Sequence, residues 1–500
     1  MPLSTPFVVD AFDGTITVQL DLPYEYGNFG LVGGVVDMSS VAIKRLGRRK
    51  TGVSTQGELA NGEFLYLPSS LEIDFIVGDY QNEFYNYLLL HNPSVTVTHS
   101  SRGLLFSGEF VVDAFSFNQS DRQTGAVFKT LFKSQIIRKL DTGFKANDGT
   151  LDTATIDNVF GTGASAYTRV RVVYLIKKIL EYIGATSVNF GYFGGQFTSM
   201  TYYSGSPPVE TTYTSTSESD NKILKTFMCS KAVAWGIYSV AGSITDGLHS
   251  TLKELLQNLC KWFGFRIVIR PTGVMSVLPY YSTSENFRTI LDSEIYSFTS
   301  REVVLPALNG LIVAGEALIN GTPERVFAPQ HTRSSPNYIS TTANPVITCT
   351  PYDLYRQGNI VAEDGVEYDE IPFSPLVGDY SGICGSTYTE LNDLFGADGG
   401  DENDIGDGGS TLFKLRLNYV AGQHYKSLVH DYADRKWDFR FRPRPVFKMV
   451  LAGTDWDEGN TFRFVAGSRV SQNPLNLKIQ NIERDDVLGE SHVELIQTSL

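Results

Sequence analysis

Leu71, Ile73, Phe75 and Val77 alternate with Glu72, Asp74 and Ile76. A two-residue period sends one set of side chains to a buried face and the other to an open face, which is the mark of a half-buried strand. Val95-Thr-Val-Thr98 follows, then a turn at Ser100-Ser-Arg-Gly103, then a strand from Leu104 to Val112. Phe115 and Phe117 lead into a polar turn from Asn118 to Gly125, and a strand runs from Ala126 to Phe132. Short strands at this spacing restrict the first 145 residues to a β-barrel or sandwich, with one short helix expected over Gln81 to Leu90. Composition points the same way. Charged residues are only 19% of the chain, while Phe (31), Tyr (26) and Gly (46) are plentiful, which favours strands and turns over long helices. The expected fold class is mainly β with α+β insertions.

The texture changes after residue 145. Arg169 to Ile183 carries Val172, Leu175, Ile176, Ile179, Leu180 and Ile183 at helical spacing, with Gly184 as its stop. Thr201 to Asp220 reads as an extended loop. A second helix is expected from about Leu248 to Phe263, with Thr251 and Glu254 as its capping box, Leu252, Leu255, Leu256 and Leu259 in its buried stripe, and Gly264 as its end. Phe265 to Arg270 and Val274 to Leu278 then form a hairpin around Pro271-Thr-Gly273. Residues 344–410 are irregular, glycine-rich and acidic, and read as an insertion. Patterning returns at Phe413 to Leu417, with a helix near Gln423 to Asp434 and strands to the end. The organisation expected is a β-barrel in 1–145, an α+β region in 146–284, a second β-barrel built from 285–343 and 411–500, and the insertion 344–410. One internal echo supports two related barrels. Phe115–Phe132 and Ile479–Ile496 are each strand, charged turn closing on glycine, strand.

A net charge of −14 argues against sequence-specific binding of nucleic acid, which needs a basic footprint. Met1 to Gly14 has no basic stretch followed by an apolar one, and no run is apolar enough to span a bilayer, so neither export signal nor membrane anchor is expected. The four cysteines, Cys229, Cys260, Cys349 and Cys384, form no C-x-x-C pair and read as idle or buried thiols. Gly161-Thr-Gly163-Ala-Ser-Ala166 matches a dinucleotide fingerprint but lacks the preceding strand that would aim a helix at a pyrophosphate. Asp401, Asn403 and Gly406 resemble the start of a calcium loop, but Ile405 and Leu412 stand where oxygen ligands are needed. His424 and His430 fall on different helix faces. No catalytic, cofactor-binding or metal-ligating residue is assigned, and the chain is expected not to be an enzyme.

Two basic clusters remain. Lys44, Arg45, Arg48, Arg49 and Lys50 fall together in what reads as a hairpin tip. In Trp437 to Arg444, a strand would put Trp437, Phe439 and Phe441 on one face and Arg440 and Arg442 on the other, with Arg444 closing the run. Either cluster can be a contact for an acidic partner, including a neighbouring copy of the chain or a passing nucleic acid. Either can equally be an ordinary solvated face.

Leu71-Glu-Ile-Asp-Phe75, Val95-Thr-Val-Thr98, Leu105-Phe-Ser-Gly-Glu-Phe-Val-Val112 and Ile136-Ile-Arg-Lys-Leu140 together resemble the first domain of phage tail hub proteins, relatives of the hub part of type VI secretion spikes. The helix and hairpin of Leu248 to Leu278 are similar to that family's middle region. Leu475-Asn-Leu-Lys-Ile-Gln-Asn-Ile482 and His492-Val-Glu-Leu-Ile496 are similar to its closing β unit. The resemblance implies two tail-tube-like barrels per chain and a homotrimer of six similar barrels. Such a ring would join a tail tube or distal tail protein to a central spike, fibre or tape measure protein, in a virion tail assembled in the host cytoplasm. It implies no catalytic residue and no cofactor. A sixfold distal tail ring and a glycan-binding or glycan-cleaving tail protein are the alternatives.

Overall fold

A computed structural model describes residues 6–21, 41–53, 62–78, 92–114, 116–119, 126–141, 169–190, 251–281, 287–305, 435–471 and 473–498, together with short pieces elsewhere. The expected strand at 413–417, the helix at 423–434 and most of 344–410 lie outside the described residues, as do Gly161–Ala166, Asp401, His424 and His430. The stretch expected as an extended loop, 201–220, is in part a hairpin: Ser199–Ser204 pairs antiparallel with Val209–Thr214, its Thr and Tyr residues favouring pleated backbone over a loop.

The first sheet has eight strands: β1 (Phe7–Ala11), β2 (Gly14–Asp21), β3 (Val41–Leu46), β6 (Leu71–Val77), β7 (Ser94–His99), β8 (Gly103–Phe110), β9 (Ser116–Gln119) and β10 (Ala126–Ser134). β4 (Arg49–Gly52) and β5 (Leu65–Pro68) lie between them in the chain but not in space. The order is β1-β2-β7-β8-β10-β6-β3, with β9 also on β10. Alternation decides which face is buried. Leu71, Ile73, Phe75 and Val77 are buried while Glu72 is exposed, and opposite them Phe128 and Phe132 point inward while Lys129 and Lys133 point out. Phe7, Val9 and Ala11 at one end of the order pack on the same core as Ile43 and Leu46 at the other, so the sheet curls almost into a barrel. Residues 84, 86, 88 and 89 are helical, as expected for 81–90, and Phe84 and Leu88 plug the core. The rings of Phe75, Phe84 and Phe128 meet edge to face at 5.6 and 5.2 Å between centroids, a geometry favoured by the ring quadrupoles.

Three of the described helices are α1 (Gln135–Asp141), α2 (Val172–Ile183) and α3 (Leu252–Phe263). α3 follows its sequence closely. Thr251 accepts a hydrogen bond from the Glu254 N–H at 3.2 Å, Leu252, Leu255, Leu256 and Leu259 are fully buried, and Gly264 ends the helix at a φ of 64°, where a side chain would be strained.

The second sheet has eleven strands: β4, β5, β11 (Ser187–Phe190), β12 (Phe265–Val268), β13 (Val274–Pro279), β14 (Phe287–Ile290), β15 (Ile295–Leu305), β16 (Arg444–Ala452), β17 (Thr461–Phe464), β18 (Leu475–Asp485) and β19 (Glu490–Gln497). The order is β11-β13-β12-β5-β4-β18-β19-β16-β15, with β17 joining β18 to β14. Two expected boundaries are therefore crossed. β4 and β5, from within 1–145, belong to this sheet, and so do the hairpin strands of the middle region. The chain leaves the first sheet at Gly47, whose N–H donates to Glu72 O at 2.8 Å, and two residues later lies along β18. The approach is close: a Cβ on Gly52 would overlap Asn481 Oδ1 and stand 2.7 Å from Gln480 O. Gly52→Ala is expected to cost about 1–3 kcal/mol by overpacking, read as a lower urea midpoint and faster amide exchange in 49–52 and 481–484.

A four-stranded unit occurs twice. In the first sheet β9-β10-β6-β3, and in the second β18-β19-β16-β15, are antiparallel at every step. Chain order matches as well: in each unit the outer strand comes first, its neighbour second, and the hairpin last. The two hairpins that echo each other in sequence hold corresponding places. What differs is the crossover between the first and second strands of the unit, 47–70 in one and 306–443 in the other.

The Trp437–Arg444 run is not a strand. Residues 435–440 are helical, 441–442 bend, and β16 begins at Arg444. Tertiary packing overrides the two-residue alternation, because Phe439 lies in a core with Phe64, Tyr280 and Val446. Phe439 meets Tyr281 edge to face at 5.6 Å.

Candidate interaction surface at the junction of the two sheets

The basic run at 44–50 is a crossover between sheets rather than a hairpin tip, and the acidic surface it meets belongs to the same chain. That surface is the β18–β19 turn. The β4–β18 ladder sets Lys50 opposite Glu483, and Lys50 Nζ stands 2.9 Å from Glu483 Oε1. Arg48 reaches Asp485 at 3.5 Å and Glu490 at 3.8 Å. Arg49 grips Asp486 with two guanidinium nitrogens, Nη2 donating to Oδ1 at 2.7 Å.

From the first sheet's β7–β8 turn, Arg102 Nη1 donates to the same Oδ1 at 2.8 Å, while its Nη2 donates to Asp13 Oδ1 at 3.3 Å. Asp486 is 3% exposed. Burial pushes its carboxyl up, but the hydrogen bond and charge of Arg49, with Arg102 behind them, outweigh burial and hold it below the ordinary carboxylate value. Phe12 N–H donates to Val487 O at 3.2 Å, closing the two turns on each other. Gly489, at a φ of 70°, has the Phe12 ring where a Cβ would stand, so this turn has a steric as well as a conformational need for glycine.

The rim of the junction is open. Arg45, Arg48, Lys50, Glu72, Glu483 and Asp485 line a cleft of about 480 Å³. Lys44 is exposed beside it, at the bulge between Ile43 and Arg45, and Arg45 stands 3.9 Å from Glu72 and 4.0 Å from Asp74. Phe12 and Leu488, the tips of the two turns, are 73% and 60% exposed.

The second basic cluster is divided. Arg442 is exposed, but Arg440 and Arg444 are buried and present no solvated face. Arg444 donates to the carbonyls of Phe439, Asp438 (2.9 Å) and Thr498 (3.1 Å), tying 435–440 to the end of β19.

Beneath the junction His99 is buried, with Nε2 3.0 Å from Asp13 Oδ1 and Nδ1 3.1 Å from Ser101 Oγ. The distances suit a nucleophile, base and orienting acid. The Ser101 backbone N–H, however, also donates to Nδ1 at 3.2 Å, so the lone pair a base would use is held in a local turn. Among the described residues no three His, Cys, Asp or Glu side chains gather to hold a metal, and no helix is long and apolar enough to cross a membrane. Cys260 is buried and unpaired with another cysteine, and burial pushes its thiol up.

Arg102, Asp13 and Asp486 were not singled out in the sequence. Asp486 lies within the charged turn that marks the internal echo, which was the only signal available for it.

No protein-family model matches the chain, and no curated protein matches it in sequence. Solved structures are similar to it at low identity. The 43 kDa tail protein of prophage MuSo2 from Shewanella oneidensis is 7% identical, with a TM-score of 0.42 over 92% of this chain and 96% of that one. A tail protein from Neisseria meningitidis MC58 is 9% identical, with a TM-score of 0.38 over 91% and 95%. The prophage tail protein gp18 from Listeria monocytogenes EGD-e is 11% identical, with a TM-score of 0.35 over 99% and 94%.

Proposed function

We propose that the chain is a structural protein of a phage tail. The observation that carries this reading is the four-stranded antiparallel unit present twice in one chain, in the same chain order and the same sheet order. A chain with two like units lets a ring of few copies present twice as many similar faces, which suits a place where symmetry changes along an axis.

Within that class the reading is a tail hub or tail-tip ring: a homotrimer offering six related barrels to a tail tube on one side and a threefold spike, fibre or tape measure protein on the other. The sequence resemblance to tail hubs points to the same role. The chain acts by holding neighbours in register and carries no chemistry. The experiment is electron-microscopic imaging of intact particles. Three copies at the end of the tail tube are expected; six copies in a ring would favour the distal tail alternative, and absence from the particle would end the reading. Asp401→Ala, His424→Ala and His430→Ala are each expected to leave infectivity unchanged, and its loss from correctly assembled particles would count against a purely structural role.

A further inference from the structure

We propose that copies of the chain meet head to tail, the β1–β2 turn of one packing on the free side of β15 in the next, with Asp10 of the first set against Arg301 of the second. The proposal rests on the ring reading and names the surfaces that close the ring. β15 ends its sheet order and pairs on one side only, with β16. Tyr296, Phe298 and Val303 on it are 59%, 45% and 61% exposed. A bare edge that also exposes apolar side chains is a surface that association covers. The repeated unit points to what is missing. The counterpart of β15 is β3, and β1 packs beside β3 on the first core. Among the described residues no strand takes that place beside β15.

The bulges in β15 decide which of its side chains act together. Phe298 stands opposite Met449, Arg301 opposite Phe447 and Val303 opposite Pro445. The bulge after Phe298 adds one residue, so these three follow β16 in two-residue steps and share one side of the strand. That side continues the second core. The Phe298 ring lies 6.4 Å from the ring of buried Phe447, and the Arg301 guanidinium lies 5.0 Å from the centre of the same ring. The open rim of the core is therefore a row: apolar, positive, apolar.

The first sheet carries the complementary row. Phe7, Val9 and Ala11 of β1 turn to the core, so Val8 and Asp10 face outward, and Phe12 follows two residues on at the turn. Val8 is 64% exposed and Phe12 73%. This row reads apolar, negative, apolar. Laid on β15 in either direction, it sets Asp10 against Arg301 and each apolar end against an apolar end. Both charges are exposed, and neither forms an ion pair with a described residue. Leu488, whose turn is closed on Phe12, widens one apolar end. The two rows are different surfaces of one chain, so the contact is head to tail, the kind that closes a ring when the rotation between copies permits.

Analytical ultracentrifugation of the purified full chain over a range of concentrations tests this. The natural chain is expected to self-associate. Asp10→Arg and Arg301→Asp each bring like charges together and should weaken association at least about tenfold. The double variant restores an opposite pair and should recover most of that loss. An unchanged urea midpoint checks that each variant folds. Val303→Lys, which should also weaken association, decides the matter if a charge reversal does not fold. Association undiminished in the single variants, or no recovery in the double variant, would overturn the contact and leave the ring reading to the copy count in particles. A chain that stays monomeric at every concentration would overturn it too, while three copies in the particle would keep the ring reading.

Discussion

Asp486→Ala is expected to cost about 3–5 kcal/mol, the range for removing one partner from a buried ion cluster. The loss arises mainly from what is left behind. Arg49 and Arg102 have side chains only 14% and 23% exposed, and without the carboxylate Arg49 would lose its anion while Arg102 kept only Asp13 at 3.3 Å. Replacing Asp486 by Leu together with Arg49 by Met should recover part of the loss, since Arg102 still has Asp13. Lys50→Ala is the contrasting case. Its partner Glu483 is 37% exposed and Lys50 itself 51%, so water screens the pair and the change should cost no more than about 1 kcal/mol. Urea unfolding followed by exchange in 481–490 separates the two, and equal costs would mean that the buried cluster contributes no more than a surface pair.

The same carboxylate sets an acid limit on the contact. Its pKa is depressed in the folded chain, so its contribution is complete above the ordinary carboxylate value and is lost as pH falls through the lower, folded value. Loss at strongly acidic pH therefore reports Asp486.

Local patterns were legible where a single element decides the outcome. The alternation at 71–77, the helix caps at Thr251 and Gly264, and the hairpin around Gly273 each follow from residues within one turn or ladder of one another. The repeated hairpin was also legible, since charged turns closing on glycine have a local cause.

Partnership across sheets was not. Nothing near Arg49 in sequence says that its carboxylate comes from Asp486, and a basic run beside a glycine reads the same as a solvated tip or as a crossover. Replacing Arg48, Arg49 and Lys50 with Glu would accordingly disrupt the chain's own junction before it reached any partner. For the same reason β4 and β5 could not be assigned to the second sheet. Residues 49–52 are too few for a period, and the partner strand β18 begins only at Leu475.

Arg444→Met should be among the most damaging single changes in the chain, while Arg442→Ala, two residues away, should cost less than about 0.5 kcal/mol, as expected for an exposed site without such features. In sequence the two arginines look alike. In the fold Arg442 is exposed and Arg444 is 3% exposed. Burial lowers the pKa of the Arg444 guanidinium, yet arginine stays charged in any ordinary solution. Its charge is therefore balanced by dipoles, the carbonyls of Phe439, Asp438 and Thr498, and its face lies 5.0 Å from the centre of the Phe439 ring. Methionine would keep most of the volume but satisfy none of those carbonyls. Each acceptor left buried and unpaired costs about 1–3 kcal/mol, less wherever water reaches it. The expected total is about 3 kcal/mol or more. The loss should show as release of residues 435–440 and of the end of β19, detectable by limited proteolysis before the first sheet unfolds. Lysine at 444 should rescue only in part, because one ammonium cannot span carbonyls on two segments as a planar fork does. Full stability with methionine would mean that the 435–440 turn is held by Phe439 packing alone.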